Sequence, residues 1–337
     1  MDDLLLIHST GDERIDRFLQ GLVGIYMQTF PGRIRSFYLT GSYADGSSIS
    51  LSDIDLSIVF AGTISDQEAE RARALEQFCE QLGSLRLDLS FSGEASLSDV
   101  ERVLVKRGGM LIYGKDIREH ILLPTLDVYR KHVTWMPYRF WGQVIRSCEV
   151  LSCPLTYPNY EDEFYGYTQK RISVWYPAEI EQGTKELITG ALRTATAILA
   201  LRAGQYVMSK RDSVQRYRAY IHDEWTDYLE TLYFKGKLEW QYLIPAEPEA
   251  RRLLHELCQR TLAFENQYFE LYRRYLLTLL QGSEDDTLFV LERLTQVIFA
   301  DEEVIGTVQA LESSAIDSIR RAACQTRKCI EREVNQS

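Results

Sequence analysis

No stretch of the 337 residues approaches the ~20 consecutive apolar positions that a membrane-spanning helix needs. A secretory leader is not expected either, because Met1-Asp2-Asp3 is acidic where such a leader carries positive charge. The cytoplasm is therefore the expected location, and no membrane partner is expected. Cysteine is sparse: Cys79, Cys148, Cys153, Cys258, Cys324 and Cys329 include no Cys-x-x-Cys pair, and the five histidines are scattered. That argues against a zinc site or a disulfide framework and reads as reduced thiols, mostly packing. Basic charge is also in deficit, with 38 Lys and Arg against 49 Asp and Glu for a net charge of −11. A grip on extended nucleic acid requires clustered cations against phosphates, so none is expected. An acidic cleft suits a small cationic substrate instead. Internal repeats and low-complexity segments are absent too. What remains, 45% hydrophobic and 26% charged, describes an ordinary globular chain long enough for two domains with separate cores.

The most informative stretch is Gly41-Ser42-Tyr43-Ala44-Asp45-Gly46, followed by Ser52-Asp53-Ile54-Asp55-Leu56 and the apolar run to Phe60. Strand side chains alternate faces, so Asp53 and Asp55 project together while Ile54 and Leu56 point the other way. Two carboxylates held that close repel unless a cation or shared proton compensates them. Oxygen-ligated Mg²⁺ carrying a nucleotide's phosphates meets that need. Gly41 and Gly46 clear space where phosphates would approach, leaving backbone N–H groups and the Ser42 hydroxyl as donors. A third carboxylate, Asp88, points opposite to Leu87 and Leu89 in the alternating run Leu85 to Phe91. Beside the Asp53 strand it would complete either a two-metal site or a one-metal site with Asp88 as base. A calcium loop starting at Asp53 is excluded, since its sixth position is Ile58 and its twelfth Ile64. The glycine spacing is neither a Walker loop nor a dinucleotide fingerprint.

In chain order, helical periodicity covers about Asp12 to Thr29, and Ile34 to Leu39 reads as the strand entering the Gly-Ser turn. Ser65 and Glu68 form a capping box that opens a helix to about Leu82, stopped by Gly83. Ser96 to Arg107 reads as helix, and Gly108 to Asp116 as a short apolar element. Beyond about Leu126 the pattern turns to long helices. One is expected over Val128–Glu149 with a kink at Pro137, one over Ala178–Ala203, and one over Val214–Phe234. Further helices are expected over 248–281, 284–300 and 302–333. The tyrosine-rich, acidic stretch of Tyr157, Tyr160, Tyr165 and Tyr167 reads as a packed connector or a lining for a cationic ligand.

The Gly-Ser turn, the Asp-x-Asp strand and the later strand carboxylate together resemble the nucleotidyltransferase superfamily that includes DNA polymerase beta. The following helical half is similar to the aminoglycoside adenylyltransferases acting on streptomycin and spectinomycin. Met110 to Lys115 resembles the element closing that family's first domain, and Ala203 to Lys210 resembles its helix end with a Ser-Lys. The resemblance implies an α/β catalytic domain with a mixed sheet over 1–125 and an all-α substrate and nucleotide domain over 126–337. It implies AMP transfer from ATP to a hydroxyl of an aminoglycoside-type antibiotic, bound as a cation in an interdomain cleft. Asp53 and Asp55 would hold Mg²⁺, with Asp88 as base or further metal ligand. Gly41, Ser42 and Ser52 would position phosphates, Lys210 and Arg193 would neutralise them, and Tyr233 would stand near the nucleotide. The family usually carries Glu where Asp88 stands, and Arg193 falls a turn from the family's arginine. The last two long helices would cap the domain or form a homodimer interface. Two other classes share the motif: nucleotidyltransferases that modify a protein or make a signalling nucleotide, and non-catalytic nucleotide-binding modules.

Overall fold

The computed structural model describes residues 5–82, 85–169 and 183–334. Gly83 and the positions from Arg171 to Glu181, with the expected helix start at Ala178, lie outside the described residues. The chain forms two compact units: Met1–His132 with Ala203–Ile221, and Val133–Arg202 with His222–Ser337. No helix among the described residues is long and apolar enough to cross a membrane.

The first unit opens with α1 (Glu13–Thr29), N-capped by Asp12, whose side chain accepts from the Arg14 and Ile15 N–H groups. Ile15, Leu19, Leu22, Val23 and Tyr26 fall on one helical stripe and are buried. Then follow β1 (Ile34–Thr40), the one-turn α2 (Gly41–Ala44), β2 (Ile54–Phe60), α3 (Asp66–Leu82), β3 (Leu87–Gly93), α4 (Asp99–Gly108) and β4 (Met110–Gly114). The sheet order is β3-β2-β1-β4, with β2 and β3 parallel and the other pairs antiparallel. This is the expected mixed sheet. Strand alternation divides the core: Leu39, Leu56, Ile58 and Leu89 pack with the α1 stripe, while Tyr38, Val59 and Leu111 join Val105 of α4 on the other face.

Local sequence explains the helix starts. The Ser65–Glu68 capping box is present, with the Ser65 N–H donating to Glu68 Oε2 at 2.9 Å and the Glu68 N–H donating to Ser65 Oγ at 3.3 Å. α4 starts later than Ser96, because Ser98 and Glu101 form a second capping box. The outer edge of β3 is protected by α3: the Leu87 and Leu89 N–H groups each donate at 2.9 Å to Glu80 and Glu76. Burial pushes the Glu76 carboxyl above its usual range.

In the remaining chain, α5 (Leu126–Val133) and α6 (Met136–Tyr138) precede a π-helical segment, Arg139–Arg146. The single kinked helix expected over Val128–Glu149 is thus broken. Pro137 has no N–H to offer the Val133 carbonyl, and the chain leaves the π segment at Ser147 in the left-handed region. β5 (Leu151–Cys153) and α7 (Lys185–Ala203) follow. The helix expected over Val214–Phe234 is three pieces: α8 (Lys210–Tyr220), α9 (Thr226–Thr231) and a π segment, Leu232–Glu239. Asp223 makes the break, accepting the Trp225 N–H on its side chain and the Thr226 N–H on its carbonyl. Next come α10 (Pro248–Leu279), α11 (Glu284–Leu294), β6 (Val297–Phe299), α12 (Glu302–Leu311) and α13 (Asp317–Val334). Helix was expected through residue 300, but Val297 and Ile298 are β-branched and pair in parallel with β5. The helix expected over 302–333 is likewise two. The second half of the chain is mostly helical rather than all-helical.

In the second unit Arg146 and the fully buried Glu265 pair at 2.6 Å, and the Tyr167 hydroxyl donates to the same carboxylate at 3.0 Å. Arg146 also donates to the carbonyls of Trp141 and Thr156, so the buried charges are well supplied with partners. Removing one ion would leave the other uncompensated. Arg146→Met is expected to cost about 3–5 kcal/mol of stability, read from the shift in a urea unfolding midpoint. A loss under about 1 kcal/mol would show that Glu265 is held by other means.

Candidate active site

Strand register builds the site. Thr40 pairs with Asp55 across β1 and β2, and Asp55 pairs with Asp88 across β2 and β3. Register partners project to the same side of a sheet, so Thr40, Asp55 and Asp88 form one row across three adjacent strands. Behind that row Ser57 and Ser90 are also partners, and the Ser90 hydroxyl donates to Ser57 Oγ at 3.0 Å. Polar side chains occupy this end of the α4-covered face, while the opposite parity supplies the core. Asp53 stands two residues before Asp55 and just ahead of β2. Its charge reaches Tyr43, whose phenol is pushed up by burial first and then by Asp12 and Asp53.

The Gly-Ser turn is bound to this row by sterics. Gly41 has φ +64°, and a Cβ there would lie 2.1 Å from Asp55 Oδ2 and 2.9 Å from its Cγ. The Asp55 carboxylate therefore rests directly against the Gly41 Cα, a contact that only glycine permits. Thr40 N-caps α2 without a side-chain bond into it; its hydroxyl donates instead to the Asp55 carbonyl at 3.4 Å. Asp45 closes the turn, its Oδ1 accepting from the Ser47 N–H and hydroxyl at 3.0 and 2.6 Å. Ser42 is half-buried beside Gly41. Ser52 is committed to the loop, where its Oγ accepts the Ile49 N–H and its own N–H donates to the Ile49 carbonyl, both at 2.9 Å.

Segment Ala203–Ile221 returns to this unit. The Tyr206 hydroxyl donates to the Pro124 carbonyl at 2.6 Å, and the Val207 N–H donates to the Tyr129 hydroxyl at 3.0 Å. Ser209 then caps α8 by accepting the Asp212 N–H, which makes Lys210 its first residue. Arg211 donates to the Asp45 carbonyl at 2.8 Å, joining α8 to the end of α2. Between them lies a cleft of about 530 Å³, whose walls include Thr40, Gly41, Asp45, Arg107, Ser209 and Arg211.

The structure thus brings Gly41, Ser42, Asp53, Asp55, Asp88 and Lys210 into one unit. Arg193 and Tyr233 belong to the second unit: Arg193 is exposed on α7, and Tyr233 is buried with Lys237 Nζ 5.5 Å from its ring centroid. Sequence reasoning passed over Thr40, Arg107 and Arg211. Thr40 had a signal, since it directly precedes Gly41 at the end of the β1 alternation. Arg211 was marked only by its place beside Lys210 behind the Ser209 cap.

Among the described residues no three His, Cys, Asp or Glu side chains stand together as a ready metal cage. The donor set fits Mg²⁺ nonetheless. That ion is held by one or two carboxylates together with substrate phosphates and waters, rather than by an all-protein shell. Asp53 and Asp55 supply hard oxygens of that kind beside a glycine turn, and Asp55 is already seated where the turn begins.

Residues 23–108 match the family model described as nucleotidyltransferase domain. No curated protein matches the chain. Among solved structures the chain is similar to spectinomycin adenyltransferase AAD(9) from Enterococcus faecialis with ATP and spectinomycin, at 12% identity, 74% of this chain, 98% of that chain and a TM-score of 0.43. It is also similar to a toxin-antitoxin MntA-HpeT mutant, at 18% identity, 35% of this chain, 90% of that chain and a TM-score of 0.25. A toxin-antitoxin with AMP-PNP gives 19% identity, 35% and 90% coverage and the same TM-score of 0.25. The family match spans β1, α2, β2 and β3 with the Gly-Ser turn and all three aspartates, so this segment of the chain is similar to a nucleotidyltransferase domain.

Proposed function

We propose that the protein is a Mg²⁺-dependent adenylyltransferase that moves AMP from ATP to a hydroxyl of a small cationic molecule of the aminoglycoside type. The observation that carries this reading is the Asp55 carboxylate seated against Gly41 in one row with Asp88. Asp53 and Asp55 would hold the ion, which when bound polarises the phosphates. Ser42 and the backbone of α2 would orient the triphosphate, with Ser52 holding the loop behind them. Asp88, exposed at the end of the row, would take the proton of the acceptor hydroxyl. Lys210 would offset charge on the phosphates. The net charge of −11 favours the approach of a cation.

The test is mass spectrometry after incubation with Mg·ATP and a panel of aminoglycosides and spectinomycin. A product heavier by one AMP, reduced about 10²–10⁴-fold with Asp88→Asn, is the expected result. Adenylation of a protein, or a nucleotide product from ATP alone, would replace the small-molecule acceptor. A chain that binds no Mg·ATP would overturn the reading.

A further inference from the structure

Asp88 sits on an edge strand. The order β3-β2-β1-β4 leaves β3 bonded to one strand, β2. The Arg86 carbonyl accepts the Ile54 N–H at 2.9 Å, so the backbone groups of Arg86 and Asp88 face β2. Those of Leu87 and Leu89 face outward, on the side where an edge strand offers unpaired N–H groups. Asp88 is exposed, and only two side-chain torsions separate its carboxylate from the backbone. The place of its oxygens therefore follows the place of the strand.

Two glutamates of α3 meet the outward groups. The Leu87 N–H donates to Glu80 Oε1 and the Leu89 N–H to Glu76 Oε1, each at 2.9 Å. Helix and strand spacings match: four residues of helix rise about 6 Å, and two residues of strand advance about 6.6 Å. The order is reversed because α3 runs back against β3. Asp88 is the residue between the two bonds. Covering an edge needs only acceptors, and glutamine supplies one without charge. Two carboxylates beside a third are costly. Burial pushes the Glu76 carboxyl up, the Leu89 N–H offsets part of that, and the charges of Glu80 and Asp88 push it further. An ionised acceptor makes a bond roughly twice as strong as a neutral one, so the pair holds this part of β3 firmly.

We infer that Glu76 and Glu80 are positioning residues for Asp88, holding the peptide groups on both sides of it so that its carboxylate meets the acceptor hydroxyl. This rests on the nucleotidyltransferase reading and deepens it. The acceptor oxygen forms its bond to the α-phosphorus as the bond to the α–β bridging oxygen breaks. The hydroxyl proton passes to Asp88, and the bridging electron pair leaves on pyrophosphate. A strand displaced by about 1 Å takes the proton acceptor out of line, which can cost 10²-fold. Both glutamates act through the strand rather than on the substrate.

Hydrogen exchange and steady-state kinetics of the full chain test this, with Mg·ATP and the aminoglycoside and spectinomycin panel as acceptors. In Glu76→Ala, amide exchange over 86–90 is expected to rise at least about fivefold. Its kcat is expected to fall about 10–10²-fold, with KM for Mg·ATP held within about twofold. Glu76→Gln, which keeps an oxygen acceptor, is expected to recover most of that loss. Glu80→Ala repeats the test near the end of α3. In an Asp88→Asn background Glu76→Ala is expected to lower kcat no further, because the group it positions is gone. An equal loss in that background overturns the inference and makes Glu76 merely structural. Unchanged exchange over 86–90 in both alanine variants overturns it whatever the acceptor. Full turnover in both, in a parent chain that transfers AMP, overturns it and leaves the nucleotidyltransferase reading standing. A parent chain that transfers no AMP overturns both.

Discussion

Replacing Asp55 by Asn is expected to leave the fold intact and reduce nucleotidyl transfer by at least about 10³-fold. Asn is isosteric with Asp, so the contact against Gly41 and the place of β2 in the sheet are kept. What goes is the charge. A bound cation contributes several kcal/mol of transition-state charge stabilisation, and each ~1.4 kcal/mol is tenfold in rate. Asp53→Asn should behave alike, since a two-carboxylate site weakens as a whole when either anion becomes a neutral amide. The readouts are turnover at saturating Mg·ATP and thermal unfolding. Full activity with either amide would remove these residues from the metal site. A fallen melting temperature with little change in rate would make their role structural.

The catalytic half was legible because its chemistry and its folding signals coincide in short stretches. Alternation put Asp55 and Asp88 on the side opposite Leu56 and Leu89, and parallel pairing of β2 and β3 then made them neighbours. The Ser65–Glu68 capping box announced its helix within a few residues. What could not be read is non-local or depends on small energy differences. Nothing in Ala203–Ile221 says that the chain returns to the first unit, because its anchors are single hydroxyls such as those of Tyr129 and Tyr206 meeting distant backbone. Val297–Phe299 continues an apolar pattern that suits helix or strand equally, and only pairing with Leu151–Cys153 decides it. Arg107 and Arg211 drew no reading from the sequence, because one sequence does not reveal a shared cavity.

Gly41→Ala is expected to lower transfer by about 10²–10³-fold, comparable to losing an electrostatic donor at the reacting atoms, through a single methyl group. Two costs act there. The backbone sits at φ +64°, where an L-residue pays about 1 kcal/mol. The new Cβ would also lie 2.1 Å from Asp55 Oδ2, far inside contact distance, so the carboxylate or the turn must move. Either movement takes Asp55 out of register with the backbone proposed to bind phosphate, and a misplacement of about 1 Å can cost 10²-fold. Gly46→Ala separates the two effects. Gly46 has φ +71° in the same turn, but a Cβ there meets nothing within 4 Å. It should therefore lose a similar amount of stability to backbone strain and keep most of its activity. Steady-state kinetics and thermal unfolding of both variants decide the matter. Equal loss of activity in the two would place the effect in the backbone of the turn. A selective loss in Gly41→Ala would place it in the seat of the Asp55 carboxylate, the position proposed to hold the metal.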